Sequence, residues 1–181
     1  DTKRYRLSYD LHTHTTFSHG KGSIEDNVIA AKSKGLKAIG ISDHGPGHLT
    51  YGVKRCNISV MRSEVDRLKS FYPDIDILLS VEANIINISG KLDVTADEMK
   101  QFDYLIAGYH YGVLGEKPIR AIGLHMQNFI LSGLMKMSTK RQKSLNTELV
   151  VRAIYENDIK ILTHPGDKGV FDIKEIALAC A

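Results

Sequence analysis

The stretch Leu7-Ser8-Tyr9-Asp10-Leu11-His12-Thr13-His14 alternates between two kinds of side chain with a period of two residues. This period is typical of a β-strand, whose successive side chains point to opposite faces of a sheet. Asp10, His12 and His14 therefore share one face of the predicted strand. The apolar side chains share the other face, where they can pack on helices. Two imidazoles at positions i and i+2 of a strand form a pair that can bind a metal ion.

Further strands and helices are predicted to follow in alternation. Ser23 opens the first helix with Asp26 three residues on, as in a capping box, and apolar residues recur at helical spacing over 58–72. Later helices contain Leu149 and begin after Asp172. The predicted strands cover residues 36–41, 75–82, 103–110 and 159–164, and a small hairpin covers 84–94.

Strands that alternate with helices indicate a parallel sheet with right-handed crossovers. With five such strands the natural closed form is a barrel, and an open doubly wound sheet is the alternative. The sequence contains no Gly-rich dinucleotide or P-loop fingerprint, which removes the usual reason to prefer the open sheet. Glycines and a proline interrupt any period over 112–144, so a helix within 122–137 is left open.

The composition is that of an ordinary globular protein with one core and one domain. The chain has 181 residues, of which 43% are hydrophobic and 25% charged. Its net charge of +3 allows an anionic substrate and does not require a nucleic acid partner. Cys56 and Cys180 match no CxxC spacing, so we expect reduced thiols and a cytoplasmic protein. We expect no membrane span and no signal peptide, because no run of about 18 apolar residues exists and the N-terminus is polar.

Metal-binding residue types end the other predicted strands. Glu82, His110 and His164 end three of them, and His44 follows another in Ser42-Asp43-His44-Gly45. Each of these alone is better explained as a rim carboxylate or a hydrogen-bonded core histidine. Together they predict a multi-metal site, because strand ends converge in a barrel and a carboxylate can bridge two cations. His19, in the loop after the first strand, is the weakest candidate ligand.

The remaining polar residues near these motifs receive supporting or ordinary roles. We expect Asp10 to support the site structurally and Asp43 to orient an imidazole from outside the ligand set. His48 and His125 fit nothing in the pattern, so we interpret both as surface or packing histidines. No Ser or Cys has the setting of a nucleophile.

The motifs resemble those of the PHP superfamily of polymerase and histidinol phosphatase domains, where an HxH strand, an Asp-His pair, a strand-end Glu and single histidines occur in this order. The resemblance covers nearly all 181 residues. The chain is most similar to the stand-alone bacterial PHP phosphatases of the YcdX type, through Asp-His-Gly-Pro at 43–46, Val-Glu-Ala-Asn-Ile at 81–85, Ile-Ala-Gly-Tyr-His at 106–110 and Thr-His-Pro-Gly at 163–166.

The resemblance implies both a fold and a ligand set. The fold would be α/β, a distorted TIM-like (β/α)7 barrel forming one metal-dependent hydrolase domain over residues 1–181. This chain would lack the last strands of that barrel and the family's Asp-x-His ligands. Two or three divalent ions would be bound, with zinc favoured over manganese or iron. Three ligand groups are implied: His12 and His14 with Glu82, Glu82 with His110 and His164, and His19 with His44.

The expected activity is hydrolysis of phosphomonoesters by a metal-activated hydroxide. The substrate would be a small phosphorylated molecule. Lys117 and Arg120, with the basic residues of 136–143, could help to capture its phosphate, although basic runs are more often solvated surface. The oligomeric state is left open, and a homo-oligomer is compatible with the sequence.

Four alternatives are weighed against this activity. Histidinol-phosphate phosphatase and a 3′–5′ exonuclease-type phosphodiesterase would use the same ligands; the second is less favoured because no aromatic and basic groove for a nucleic acid strand is evident. An amidohydrolase would need a bridging lysine where Glu82 stands. A non-catalytic PHP domain would have no need to retain seven ligands.

Overall fold

The computed structural model describes residues 6–113, 126–135 and 139–181. Within these ranges the strands are β1 (Tyr9–Thr13), β2 (Ala38–Ile41), β3 (Asp76–Leu79), β4 (Glu82–Asn84), β5 (Ile106–Gly108) and β6 (Ile161–Leu162). Helices α1 (Ile24–Ser33), α2 (Ile58–Phe71), α3 (Ala96–Met99), α4 (Lys140–Glu156) and α5 (Ile173–Ala179) lie between or after them. A short 3-10 turn (Arg55–Asn57) precedes α2, and a π-helical segment (Phe129–Leu134) precedes α4.

The strands form two parallel sheets that meet at one junction. The first sheet has the order β1-β2-β3 and the second the order β4-β5-β6. A parallel bridge pairs His44 with Glu82, the Gly45 N–H donates to the Glu82 carbonyl over 2.8 Å, and the Glu82 N–H donates to the Asp43 carbonyl over 3.0 Å. We call this junction, formed by residues 43–45 and Glu82, the seam. The fold is α/β with strands in sequential order, as in a TIM-like barrel, and the described strands do not close the barrel.

Helix α1 begins where the sequence predicts. The Ser23 side chain accepts a hydrogen bond from the Asp26 N–H while the Asp26 carboxylate accepts one from the Ser23 N–H, so the capping box is present. Ile24, Val28 and Ala31 are buried on one face. The chain then turns at Gly35, which has a φ of 69° that L side chains rarely adopt.

The core lies between the sheets and the helices. Four residues of α2 are buried at spacings of three and four, and they belong to the same apolar cluster as the buried strand residues. Burial of one such side chain stabilises the fold by roughly 1.5–3 kcal/mol. The predicted apolar stripe of α2 is therefore confirmed, and its buried members are Ile58, Met61, Val65 and Leu68.

Two strand predictions need correction. Residues 75–82 were expected to form one strand, but pairing with β2 ends at Leu79 and pairing with β5 begins at Glu82, so the segment divides into β3 and β4. Leu7 and Tyr9 were expected to pack on helices, yet they are 67% and 58% exposed. Leu7 precedes β1 and Tyr9 is its first residue, so both lie at the start of the strand.

Helix α4 begins earlier than its apolar residues suggest. Its first turns are polar, and the side chains of Gln142 and Asn146 are buried against Asn128. Asn146 Nδ2 donates to Asn128 Oδ1 over 2.9 Å, and Asn128 Nδ2 donates to the Tyr109 hydroxyl over 2.6 Å. This polar network joins α4 to the segment before it. Neither segment has apolar residues at helical spacing in this region, so the sequence does not reveal the contact. Of the helix left open within 122–137, only residues 126–135 are described.

Smaller predictions have mixed outcomes. The hairpin at 84–94 is present as an antiparallel bridge between Ile85 and Leu92, with Gly90 at a φ of 77°. Cys56 and Cys180 are both free, in keeping with the expected reduced thiols, and both are exposed. No helix in the described part of the chain is long and apolar enough to cross a membrane.

Candidate metal centre

Glu82 lies at the centre of the candidate site, at the N-terminal end of β4 and fully buried. Five imidazoles approach its carboxylate, two at Oε1 and three at Oε2. The nitrogen–oxygen distances are 2.8 Å for His164, 3.3 Å for His110, 2.9 Å for His44, 3.3 Å for His12 and 3.7 Å for His14. The strand ends that carry these residues therefore converge, as the sequence predicts.

Although these nitrogen–oxygen distances are short, several buried atoms of the cluster make no hydrogen bond of acceptable geometry. Leaving such an atom unsatisfied costs about 1–3 kcal/mol, so the cluster is poorly stabilised by its own contacts. A divalent cation would satisfy these lone pairs, and a set of imidazoles with one carboxylate suits zinc, manganese and iron. The residues present therefore fit a metal site. The unpartnered atoms are His12 Nε2, His14 Nδ1, His44 Nδ1, His110 Nε2 and Glu82 Oε2.

The geometry groups these residues into three candidate ligand triplets, each with its donor atoms within 4.8 Å of one another. The combinations differ from those that the family resemblance implies, because His44 belongs to two triplets and His12 and His14 are separated. Glu82 belongs to two triplets, as a bridging carboxylate requires. The triplets are His14 with His19 and His44, His12 with Glu82 and His164, and His44 with Glu82 and His110.

The end of β5 shapes the space around the central carboxylate. A Cβ at Gly108 would lie 2.4 Å from Thr163 Oγ1 and 2.8 Å from His110 Cε1, so only glycine fits there. Thr163 donates its hydroxyl hydrogen bond to Glu82 Oε1 over 2.8 Å and thereby orients the carboxylate. Sequence reasoning missed Thr163, although it immediately precedes the predicted ligand His164.

The loop after β1 carries His19 into the site. Its ring centroid lies 4.7 Å from that of His14 and 4.8 Å from that of His44. The loop is held by Asp43, which accepts hydrogen bonds from the Thr15 N–H and hydroxyl, both at 2.7 Å, and from the Ser18 hydroxyl at 2.5 Å. Asp43 was expected to orient an imidazole from outside the ligand set, and its hydrogen bonds go to the loop that leads to His19.

Two further expectations concern strand ends. Asp10 accepts a 3.2 Å hydrogen bond from the His12 N–H, so this contact is with the strand backbone. His164 has a φ of 27°, a left-handed conformation that is strained for a residue with a Cβ. Such strain persists where the surroundings determine the geometry, here through the 2.8 Å approach to Glu82.

Burial and mutual proximity control protonation in the cluster. Although burial opposes ionisation, contacts with His110, His12 and His164 hold the pKa of Glu82 well below its ordinary value. Burial, and then the proximity of His44, lowers the pKa of His14 to about 3. His14 is therefore neutral near pH 7, the state in which an imidazole binds a metal ion. His164 differs, because its hydrogen bond to Glu82 raises its pKa.

The imidazoles line the floor of a pocket of about 480 Å³. His48 also lines this pocket, with its ring centroid 5.2 Å from that of His44, but it belongs to none of the three ligand triplets among the described residues, so its interpretation as a surface or packing residue stays a prediction. Its position depends on the loop after β2, which no sequence period reveals. The other lining residues that sequence reasoning missed are Tyr51, Tyr111, Asp167 and Lys168.

Some predicted residues lie outside the described part of the chain. They are His125, Lys117 and Arg120. Of the basic run 136–143, residues 136–138 are also outside it, and Lys143 pairs with Asp172 over 2.9 Å. None of the described members of this run lines the pocket.

A PHP domain family model matches residues 10–163. The chain belongs to the PHP domain family. A protein from Shewanella baltica (strain OS195) named as a probable phosphatase is 31% identical over 179 residues, which cover 95% of this chain and 57% of that protein. A protein of the same name from Serratia proteamaculans (strain 568) is 30% identical over 176 residues, covering 95% of this chain and 59% of that protein. The chain thus spans less than two thirds of these relatives.

The fold is also found in a solved structure. A crystal structure from Listeria monocytogenes, of a protein assigned by name to the histidinol phosphatases, superposes with a TM-score of 0.62 at 16% identity. The match covers 85% of this chain and 65% of that one. At this identity the likeness is one of fold.

Proposed function

We propose that this chain carries the metal centre of a phosphatase that hydrolyses phosphomonoesters with two or three divalent ions, zinc foremost. The observation that carries the proposal is the fully buried Glu82 among five imidazoles, with unpartnered nitrogen and oxygen atoms that form three candidate ligand triplets. The names of the Shewanella and Serratia relatives support the same reaction class. The proposed ligands are His12, His14, His19, His44, Glu82, His110 and His164.

The ions, when bound, supply a water of lowered pKa and positive charge for the phosphoryl oxygens. The side chains would position the ions. The two oxygens of Glu82 face different imidazoles, so one carboxylate can serve two positions. Thr163 fixes its orientation, and Asp43 fixes the loop of His19.

The pocket rim favours a small anionic substrate. Lys168 is the one Lys or Arg among the described residues that line the pocket, and its ammonium lies 2.8 Å from Asp167. A phosphate entering the pocket can replace Asp167 as its partner. We therefore propose that Lys168 contacts the phosphate, the role that the sequence suggested for Lys117 and Arg120.

The proposal is tested by metal content and turnover on one sample. Zinc, manganese and iron are measured by elemental analysis, and hydrolysis of p-nitrophenyl phosphate is compared with that of bis-p-nitrophenyl phosphate. Two or three ions per chain with faster monoester hydrolysis is the expected result. A folded chain without metal, or one hydrolysing the diester faster, contradicts the proposal.

The contact with phosphate is tested by Lys168→Met. A charge-assisted hydrogen bond contributes about 1.5–3 kcal/mol, so KM should rise roughly tenfold or more while metal content stays unchanged. Lys160→Met is the matched control, because Lys160 pairs with Asp158 and does not line the pocket. An unchanged KM in Lys168→Met would remove Lys168 from the substrate site.

A further inference from the structure

Asp93 is a buried carboxylate behind the metal centre, with 6% of its surface exposed. Three N–H groups converge on its two oxygens. Oδ1 accepts from the Asn84 N–H over 2.8 Å, and Oδ2 accepts from the Gly47 N–H over 2.7 Å and from Asn84 Nδ2 over 2.5 Å. The Asp93 N–H in turn donates to the Asn84 carbonyl over 3.1 Å. Both oxygens are therefore used as acceptors.

This carboxylate decides which way the Asn84 amide points. Oδ2 of Asp93 accepts from Asn84 Nδ2, and each of its oxygens accepts a backbone N–H as well, so the nitrogen of the Asn84 amide faces Asp93. The amide oxygen then faces His110, and Asn84 Oδ1 lies 2.8 Å from His110 Nδ1. Because an amide oxygen only accepts hydrogen bonds, His110 Nδ1 must carry the proton. His110 Nε2 is left with its lone pair, 3.3 Å from Glu82 Oε1.

The backbone over this pair is packed too tightly for any side chain. A Cβ at Gly45 would lie 2.5 Å from Asp93 Oδ2 and 2.9 Å from Asn84 Nδ2, and one at Gly47 would lie 2.8 Å from Asp93 Cβ. Asn84 Nδ2 also donates to the Gly45 carbonyl over 3.3 Å. The amide cannot turn over without losing both of its acceptors.

We propose that Asp93 is a positioning residue for the metal centre: through Asn84 it fixes the His110 tautomer with the proton on Nδ1 and a free Nε2. The inference rests on the proposed function in one respect, that Nε2 is the atom offered to a cation. Neutral imidazole binds metal only through an unprotonated nitrogen, and outer partners that fix it typically change metal affinity by roughly 10–100-fold.

The test measures the tautomer directly. In Asp93→Asn, the new amide can donate as well as accept, so Asn84 is free to turn its own nitrogen toward His110. Two-bond 1H–15N NMR of the imidazoles at pH 8 in metal-free protein should show the proton on His110 Nδ1 in the native chain and a mixture in Asp93→Asn. Zinc affinity, measured by competition with a chelating dye, should fall roughly 10–100-fold for the weakest-bound ion. His110→Gln identifies the signal.

An exchange variant separates positioning from mere packing. Asp93→Asn with Asn84→Asp swaps the amide and the carboxylate at unchanged composition, and Asp at position 84 still accepts from His110 Nδ1. This double variant should restore the native tautomer and much of the zinc affinity. If Asp93→Asn alone does not fold, the His110 tautomer is compared between the double variant and Asn84→Ala. Only the double variant should keep the native tautomer.

Asp103→Asn is the matched control, since Asp103 also accepts a backbone N–H, from Leu79 over 2.8 Å, but its side-chain partner is Arg62 and not Asn84. It should lose stability and keep the His110 tautomer. A native tautomer in Asp93→Asn, or equal loss in Asp103→Asn, overturns the positioning role. If Asp93→Asn changes the tautomer but the native chain shows no turnover, the proposed phosphatase activity is contradicted and the positioning role of Asp93 is not.

Discussion

At the scale of single residues, one carboxylate organises the site. Glu82 is fully buried, and no described cation from Lys or Arg approaches it; its close neighbours are imidazoles. An isolated buried charge is unfavourable, so Glu82 is explained better by a bound cation than by stability of the empty site.

Glu82→Gln keeps the size of the side chain and removes its charge. Loss of a residue that only supports a ligand lowers metal affinity by up to ~100-fold. Because Glu82 is itself a proposed ligand, we expect the affinity to fall by at least that factor. Hydrolysis should fall with it. Elemental analysis after dialysis is the measurement, and Glu98→Gln is the control, because Glu98 pairs with Arg55 and caps α3 at Thr95, outside the cluster. Full metal content in Glu82→Gln would contradict the bridging role.

Gly108→Ala tests the tight packing beside Glu82. The new Cβ must displace Thr163 or His110, and overpacking of this kind costs about 1–3 kcal/mol. The Tm should fall by roughly 2–4 °C for each kcal/mol in a chain of this length. Adding Thr163→Ala, which removes the nearest atom, should recover part of the Tm. A native Tm in the single variant would show that the strand can move aside.

At the scale of elements, local signals were read correctly and non-local ones were not. The capping box of α1 and the apolar stripe of α2 are set within a few residues, so the sequence predicts both. The break between β3 and β4 depends on pairing with β5, and the early start of α4 depends on a buried contact between Asn146 and Asn128.

The same division holds for the candidate site. Residues on strand ends were predicted because the period of two fixes their face. His48 and Lys168 were missed because loops carry them to the pocket, and loop paths leave no periodic signal. Asp43 was noticed for its position beside His44, but its actual partners, Thr15 and Ser18, are distant in sequence.

Asp103 links α2 to β3 and gives the fold an acid-sensitive contact. Burial alone would raise its pKa, but the Leu79 N–H and Arg62 hold the pKa of Asp103 below its ordinary value. A depressed pKa means that the contact stabilises the folded state above the unfolded pKa of about 3.9 and is lost as pH falls through the lower folded value.

Urea unfolding of the chain at pH 6 and at successive values below 4 measures this contribution. The native chain should lose stability on acidification, and Asp103→Asn should be less stable at pH 6 and show a shallower decline. Asp97→Asn, at an exposed position beside Lys100, is the control. Equal slopes for the native chain and Asp103→Asn would assign the acid sensitivity to other groups.

At the scale of the whole molecule, the site lies on the seam that joins the two sheets. His44 and Glu82 are both a β-bridge and members of the ligand cluster. Anything that binds the folded state and not the unfolded chain stabilises it, so zinc should raise the Tm in proportion to the logarithm of its free concentration. Zinc should stabilise the hydrogen bonds across the seam more than those elsewhere in the fold.

Hydrogen exchange followed by NMR checks this expectation residue by residue. On addition of zinc, the amides of Gly45 and Glu82, which donate across the seam, should exchange more slowly. The amides of α2, which form none of the seam's hydrogen bonds, should change only as much as global stability does. Uniform slowing throughout the chain would show that the seam is not a separate opening unit.

The shared carboxylate at the seam has a consequence for how the centre fills. Glu82 belongs to two ligand triplets, and His44 also belongs to two. The first ion to bind must order an oxygen and a ring that its neighbour also needs, so the cost of ordering falls on the first ion and the next binds more easily. We expect cooperative loading: chains with no ions and chains with a full set would predominate over half-filled ones when metal is scarce.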